Sequence, residues 1–87
     1  MNNFEAKKES WNKFLEKFEE QVKSYNYYKK HGSEVEAIAA YNLMSGMGSS
    51  IYYLFGIERN VSMRESDGLV TKVVFKNENK VIAEIIL

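Results

Sequence analysis

The chain contains no cysteine and no proline, and its charges cancel. Without cysteine it has no disulfide, no thiolate nucleophile and no cysteine-ligated metal site, and we expect a cytoplasmic protein. No proline-rich linker divides the sequence, so its 87 residues predict a single domain over 1–87. The 12 basic and 12 acidic side chains leave no basic excess, which argues against a nucleic-acid binder or an anionic-membrane binder.

Charge is also missing between Ala37 and Ile57, where no Asp, Glu, Lys or Arg occurs. About 20 uncharged residues are enough to cross a bilayer. Asn42, three serines, three glycines and three tyrosines nevertheless make this stretch too polar for a membrane-spanning helix. We expect a buried helix here and no contact with a membrane. The first residues show no basic region followed by an apolar run, so no secretory signal is predicted.

Few residues are suited to catalysis or to metal binding. His31 is the only histidine, and beside Lys29 and Lys30 it is explained by the negative end of a helix dipole. A general acid with a raised pKa needs an apolar setting; Glu84 comes closest, but a lysine is predicted opposite it. The Gly/Ser-rich segment 45–50 has neither a preceding strand nor the lysine of a phosphate-binding loop. We expect no enzyme activity, no metal and no cofactor.

Apolar residues at helical spacing predict a first helix over residues 3–31. The apolar stripe consists of Phe4, Trp11, Leu15, Phe18, Val22 and Tyr25, widened by Phe14 and Tyr28. Gly32 can take the left-handed conformation that ends a helix. Ser33 and Glu36 then match a capping box, which predicts a second helix over residues 34–55, antiparallel to the first.

The second helix has two unlike faces. The bulky face, expected in the core, consists of Leu43, Met44, Met47, Ile51, Leu54 and Phe55. The small face opposite consists of Asn42, Ser45, Gly46 and Ser49. Because Gly46 and Gly48 lower helix propensity by about 1 kcal/mol each, a kink within residues 45–50 is an alternative to a continuous helix.

A period of two predicts strands over residues 57–63, 69–76 and 80–87. A three-residue loop over 77–79, with Asn79 left-handed, would place Lys72 directly opposite Glu84. The same register would collect one apolar face, made of Leu69, Thr71, Val73, Phe75, Val81, Ala83, Ile85 and Leu87. The predicted fold is α+β in the order ααβββ: an antiparallel helical hairpin on one face of a two- or three-stranded antiparallel β-meander. The second helix is expected between the first helix and the sheet.

Tyrosines border the small face of the second helix, with Tyr41 and Tyr52 on one side and Tyr53 on the other. Tyrosine supplies rigid, amphipathic contact area at low entropic cost, and small residues allow a partner to approach. We therefore predict a protein-binding surface. Its residues are Tyr27, Tyr41, Asn42, Ser45, Ser49, Tyr52 and Tyr53. The alternative is that the first helix packs there through Trp11 and Phe18, so that the second helix is buried on both sides.

These features favour a small non-catalytic protein-binding module that inhibits or adapts a larger partner protein. In general character, without a shared motif, the chain resembles accessory proteins of phages and other mobile elements, including inhibitors of host defence systems. One alternative is a self-associating structural or assembly subunit, dimerising through the strand 81–87 or through the sheet back. The predicted sheet back consists of Val70, Val74, Ile82 and Ile86. Another alternative is nucleic-acid binding by the basic and aromatic segment 23–30.

Overall fold

The computed structural model describes the backbone of residues 3–87 and the side chains of residues 8–87; Phe4, predicted to begin the apolar stripe, lies outside the described side chains. Two helices precede three strands. They are α1 (Asn3–Lys30), α2 (Glu34–Phe55), β1 (Glu58–Met63), β2 (Val70–Asn77) and β3 (Lys80–Ile86). The strands form one antiparallel sheet in the order β1-β2-β3. The predicted ααβββ arrangement is confirmed.

The turn between the helices is a glycine C-cap. Gly32 has a φ of +74°, and the Ser33 N–H donates to the Tyr28 carbonyl at 2.9 Å, as in a Schellman motif. The predicted capping box is wrong, because the Ser33 side chain makes no capping hydrogen bond. Ser33 is shared by both helices: its N–H closes α1, while its carbonyl accepts from the Ala37 N–H at 3.0 Å. Its ψ of 77° departs from the extended N-cap value that aims the hydroxyl at the next amides.

Helix α1 lies directly on β2. Phe75 is 0 % exposed, and its ring contacts those of Trp11, Phe14 and Phe18 at centroid distances of 5.7, 6.0 and 5.2 Å. The expectation that α2 would separate α1 from the sheet is therefore wrong. The buried core cluster contains Phe18, Val22, Tyr25, Ala37, Ala40, Met44, Ile51, Ile57, Val70, Val73, Phe75 and Ile85.

Helix α2 is continuous from Glu34 to Phe55, so the alternative of a break within segment 45–50 does not apply. Its buried stripe consists of Ala37, Ala40, Met44, Gly48 and Ile51. The predicted core face is only partly right, because Leu43, Leu54 and Phe55 are exposed. Small residues face inward instead, which permits close packing: the Arg59 side chain of β1 occupies the space that a Cβ on Gly48 would need.

The hairpin between β2 and β3 has a two-residue turn, so the predicted three-residue loop is wrong. Glu78 and Asn79 have φ values of 53° and 65°, and positive φ at both positions is typical of a type I′ turn. A β-bulge follows, because Phe75 pairs with Ala83 whereas Lys76 pairs with Val81. Beyond the extra residue in β3, Ala83 and Ile85 lie opposite Phe75 and Val73, on the inner face as predicted.

This register makes the predicted ion pair diagonal. Lys72 pairs with Ile86, and Glu84 pairs with Val74, so the two charged residues are not directly opposite. Their side chains still approach to 3.7 Å on the outer face of the sheet. The pair is half exposed, so its effect on stability is small.

The bulges also change the predicted sheet back. Thr71 is an extra residue in β2 opposite β1, and Val70 beside it is buried in the core. In β3 the bulge brings Ile82 to an apolar groove on the helix side of the sheet. Val81 and Leu87, predicted on the inner face, are exposed. A bulge shifts the alternation by one residue, which a strict period of two does not anticipate.

Candidate protein-contact surface

The side of α2 that points away from the core is uncharged and exposed. We call it the α2 outer face; it consists of Val35, Ile38, Asn42, Leu43, Gly46, Ser49, Tyr53 and Leu54. On a helix of 3.6 residues per turn most of these residues lie opposite the buried stripe, and Leu43 and Leu54 lie at one flank. No charged residue occurs from Ala37 to Ile57, so water meets apolar and small polar groups along nearly the whole helix.

The three tyrosines of α2 are exposed. Tyr41, Tyr52 and Tyr53 have exposed fractions of 43, 53 and 85 %. The rings of Tyr52 and Tyr53 meet edge to face at 5.9 Å. The alternative in which α1 covers the small face through Trp11 and Phe18 is wrong, since those two rings contact Phe75 of β2 instead.

Most of the predicted binding residues lie together on α2. Asn42 and Ser49 are exposed, and Ser45 is half-buried at the edge of the outer face. Tyr27 is exposed on α1, where its ring packs on His31 at 4.3 Å and on Tyr28 at 5.4 Å. It belongs to the end of the helical hairpin rather than to α2.

Four large apolar residues of this surface were not among the predicted binding residues. They are Val35, Ile38, Leu43 and Leu54, all exposed. Two of them, Leu43 and Leu54, were assigned to the core because a bulky face normally points inward. The signal that marks Ile38, Leu43 and Leu54 is the missing charge from Ala37 to Ile57, because an ordinary solvated helix face carries charged side chains.

A groove of about 660 Å³ lies beside the C-terminal end of α2. It is lined by Ser10, Trp11, Phe14, Ile51, Phe55, Ile57, Asn77 and Ile82. A second hollow lies between Tyr52, Tyr53, Phe55 and the β2–β3 turn. Phe55 lines both the groove and the second hollow, so the exposed aromatic residues Tyr52, Tyr53 and Phe55 lie next to concave surface.

Two residues of the basic and aromatic segment 23–30 attach α1 to the sheet. The Tyr25 hydroxyl donates to the Gly68 carbonyl at 3.0 Å. The Asn26 side chain donates to the Val70 carbonyl at 2.9 Å and accepts from its N–H at 2.8 Å. The role of Asn26 was not predicted, since its partner is 44 positions away in the sequence.

A pKa perturbation occurs in the turn before β2. The Arg64 guanidinium, and next the Leu69 N–H, hydrogen-bond to the Asp67 carboxylate and hold its pKa below the usual range. This pair shapes the turn.

In the part of the chain whose side chains are described, no group of three or more acidic or histidine side chains is arranged to hold a metal ion. Neither α1 nor α2, as described from residue 3 onward, has the length and apolar character to cross a membrane.

Comparison of the chain with models of protein families, with curated proteins and with solved structures finds no match. Function is therefore inferred from the surface of the molecule alone.

Proposed function

We propose that this protein is a non-catalytic protein-binding module that contacts a larger partner through the α2 outer face and so inhibits or adapts it. The observation that carries the proposal is an exposed helix face without charge between Ala37 and Ile57. Large exposed apolar patches are uncommon on monomeric proteins and mark sites of interaction. Binding would remove this surface from water.

The chemistry of the face indicates the chemistry of the partner. Its apolar side chains fit an uncharged apolar groove or helix, because a buried unpaired charge would oppose binding. The hydroxyls of Tyr52 and Tyr53 can reach hydrogen-bond acceptors at the margin of such a contact. Tyrosines are enriched among the residues that dominate binding energy. The face provides contact area and no titratable carboxylate or imidazole, which supports binding rather than catalysis.

The proposal includes a role of the kind that accessory proteins of phages and other mobile elements have, such as inhibition of a host defence system. Small size and general composition support it. It also includes action in the cytoplasm, since a chain without cysteine gains nothing from an oxidising compartment.

A photo-crosslinking amino acid placed at Tyr53 tests the proposal in host cells. We expect one adduct of defined mass, heavier than two copies of the 10.1 kDa chain and absent when the same amino acid replaces Asn60, an exposed residue of β1. Leu43→Lys, on the same face, should abolish the adduct, whereas Ile86→Lys on the sheet should leave it unchanged. Equal adducts at both positions, or an adduct insensitive to Leu43→Lys, would contradict the proposal.

Both lysine variants replace exposed apolar residues, so each should change the free energy of unfolding by less than about 0.5 kcal/mol. Urea titration of the purified variants checks this. A large loss of stability in Leu43→Lys alone would assign the residue a structural role instead.

A further inference from the structure

Gly46 differs from the other four glycines, all of which lie among the described side-chain positions 8–87. Gly32, Gly56 and Gly68 have positive φ values of 74°, 69° and 71°, and Gly48 makes room for a side chain of β1. Gly46 lies inside α2, and a Cβ there would meet nothing within 4 Å. Alanine would favour the helix by about 1 kcal/mol, so packing within one chain does not account for this glycine.

The α2 outer face is low in the middle and bulky at both ends. Val35 and Ile38 form one end, and Tyr53 and Leu54 form the other, about 22 Å away at 1.5 Å per residue. Between them lie the small residues around Gly46, with Leu43 on one flank. A second helix can approach such a centre closely while its own side chains meet the bulky ends.

A second copy of the same face has the matching shape. If two α2 helices cross antiparallel at Gly46, Ile38 of one copy lies beside Leu54 of the second. Asn42 of one copy lies beside Ser50 of the second, whose hydroxyl donates to the Gly46 carbonyl at 2.9 Å and can still accept a hydrogen bond. The contact is isologous, so each pair occurs twice.

Charge also favours a second copy. The face has no charged residue from Ala37 to Ile57, so a symmetric contact brings no like charges together, a usual obstacle to self-association. Antiparallel helices also place the positive end of each helix dipole beside the negative end of the other.

The exposed area is of the size that a stable dimer needs. An aromatic side chain of this kind offers about 150–250 Å², and Tyr53 is 85 % exposed. With the exposed aliphatic residues Val35, Ile38, Leu43 and Leu54, the face presents several hundred Å², on the order of the ~800 Å² that each partner of a stable complex buries.

We propose that the free protein is a homodimer in which α2 packs antiparallel on α2 of a second copy, with Gly46 at the crossing point. This inference rests on the proposed function, because it uses the same face as the contact with the larger partner. The two contacts exclude one another, so the dimer must dissociate before the partner binds.

Sedimentation equilibrium of the full chain tests the dimer. We expect twice the chain mass of 10.1 kDa, with a dissociation constant raised at least tenfold by Gly46→Gln and unchanged by Val81→Gln. In dilute solution Gly46→Gln should raise the urea midpoint, because glutamine favours the helix. If Gly46 had only a structural role within one chain, Gly46→Gln would not weaken association while making the monomer more stable.

Absence of native cysteine permits a second test. Gly46→Cys should form a disulfide-linked dimer on mild oxidation much faster than Val81→Cys on the edge strand β3. Faster crosslinking of Val81→Cys, or a monomer at millimolar concentration, would overturn the dimer. A monomer that still gives a Tyr53 adduct with a larger protein in cells retains the proposed function. A dimer whose Tyr53 adduct has only the mass of two copies of the 10.1 kDa chain keeps this inference and argues against the larger partner.

Discussion

Asn26 takes the place of a strand residue at the start of β2. Pairing of β2 with β3 ends at Lys72 and Ile86, and beyond it the Asn26 amide bonds both the N–H and the carbonyl of Val70. Asn26→Ala leaves these two partly buried groups without partners. We expect a loss of about 2 kcal/mol in the free energy of unfolding.

Chemical denaturation measures this loss, and Asn12→Ala is the matched control, because Asn12 is exposed on the same helix. The control should change stability by less than about 0.5 kcal/mol. Equal effects of the two variants would mean that the Asn26 hydrogen bonds add nothing to stability.

Asp67 predicts a dependence of stability on pH. Its pKa is lowered in the folded state by Arg64 and by the Leu69 N–H. The carboxylate therefore stabilises the fold above its unfolded pKa of about 4, and this contribution is lost as the pH falls through the lower folded pKa. Arg64 stays charged throughout this range.

The melting temperatures of the native chain and of Asp67→Asn, compared between pH 7 and pH 2, test this dependence. We expect the native chain to be more stable at neutral pH and the difference to shrink in acid. High salt should reduce the difference, because the pair is exposed. A difference that is constant with pH would contradict the assignment.

Among single residues, local chemistry was predictable and distant contacts were not. Gly32 was predicted to end α1 because its conformational freedom is a property of glycine itself. Asn26 and Tyr25 were not assigned their partners, since Val70 and Gly68 come near only when α1 packs on the sheet.

At the scale of the helix, two glycines of α2 should respond differently to alanine. Gly46→Ala should raise the free energy of unfolding of the monomer by about 1 kcal/mol, because the added Cβ is unobstructed. Gly48→Ala should gain less or lose stability, since the Arg59 side chain must move. Urea titration in dilute solution compares them, and equal gains would show that Arg59 moves freely.

The β2–β3 turn holds a glutamate in a conformation that suits it poorly. Glu78 has a φ of 53°, which asparagine tolerates better than other side chains that bear a Cβ. Glu78→Asn should therefore raise stability by about 0.5–1 kcal/mol. Glu65→Asn, which removes the same charge from an exposed turn, should have little effect. Thermal unfolding measures both, and equal shifts would assign the gain to charge instead.

Element boundaries followed from the sequence within about a residue or two, because helical and alternating periods are local patterns. The register within the sheet did not follow from the sequence. Thr71 and Ile82 mark the two bulges, and a bulge depends on how neighbouring strands fit rather than on the composition of one strand.

For the whole molecule, Phe75 is the centre of the aromatic contact between α1 and the sheet. Three rings of α1 surround it. Phe75→Ala should cost about 3–5 kcal/mol, a large share of the 5–15 kcal/mol that stabilises a typical domain. Helix and sheet signals should then be lost together.

The matched control is Phe55→Ala, since Phe55 is exposed at the end of α2. It should cost less than about 1 kcal/mol. During urea unfolding, circular dichroism follows the helices and the amide NMR signals of β2 follow the sheet. Separate transitions in the native chain would show that the halves are not coupled.

The sequence by itself determined the order and limits of the helices and strands, the C-cap at Gly32 and the lack of charge along α2. Each depends on residues close in the chain. Only the tertiary structure decided which side of α2 faces the core. Both sides lack charge, so charge does not determine which one is buried. The side with Ala37, Ala40 and Gly48 faces the core because these small residues let α2 pack closely against its neighbours. The bulkier side chains therefore remain exposed to solvent.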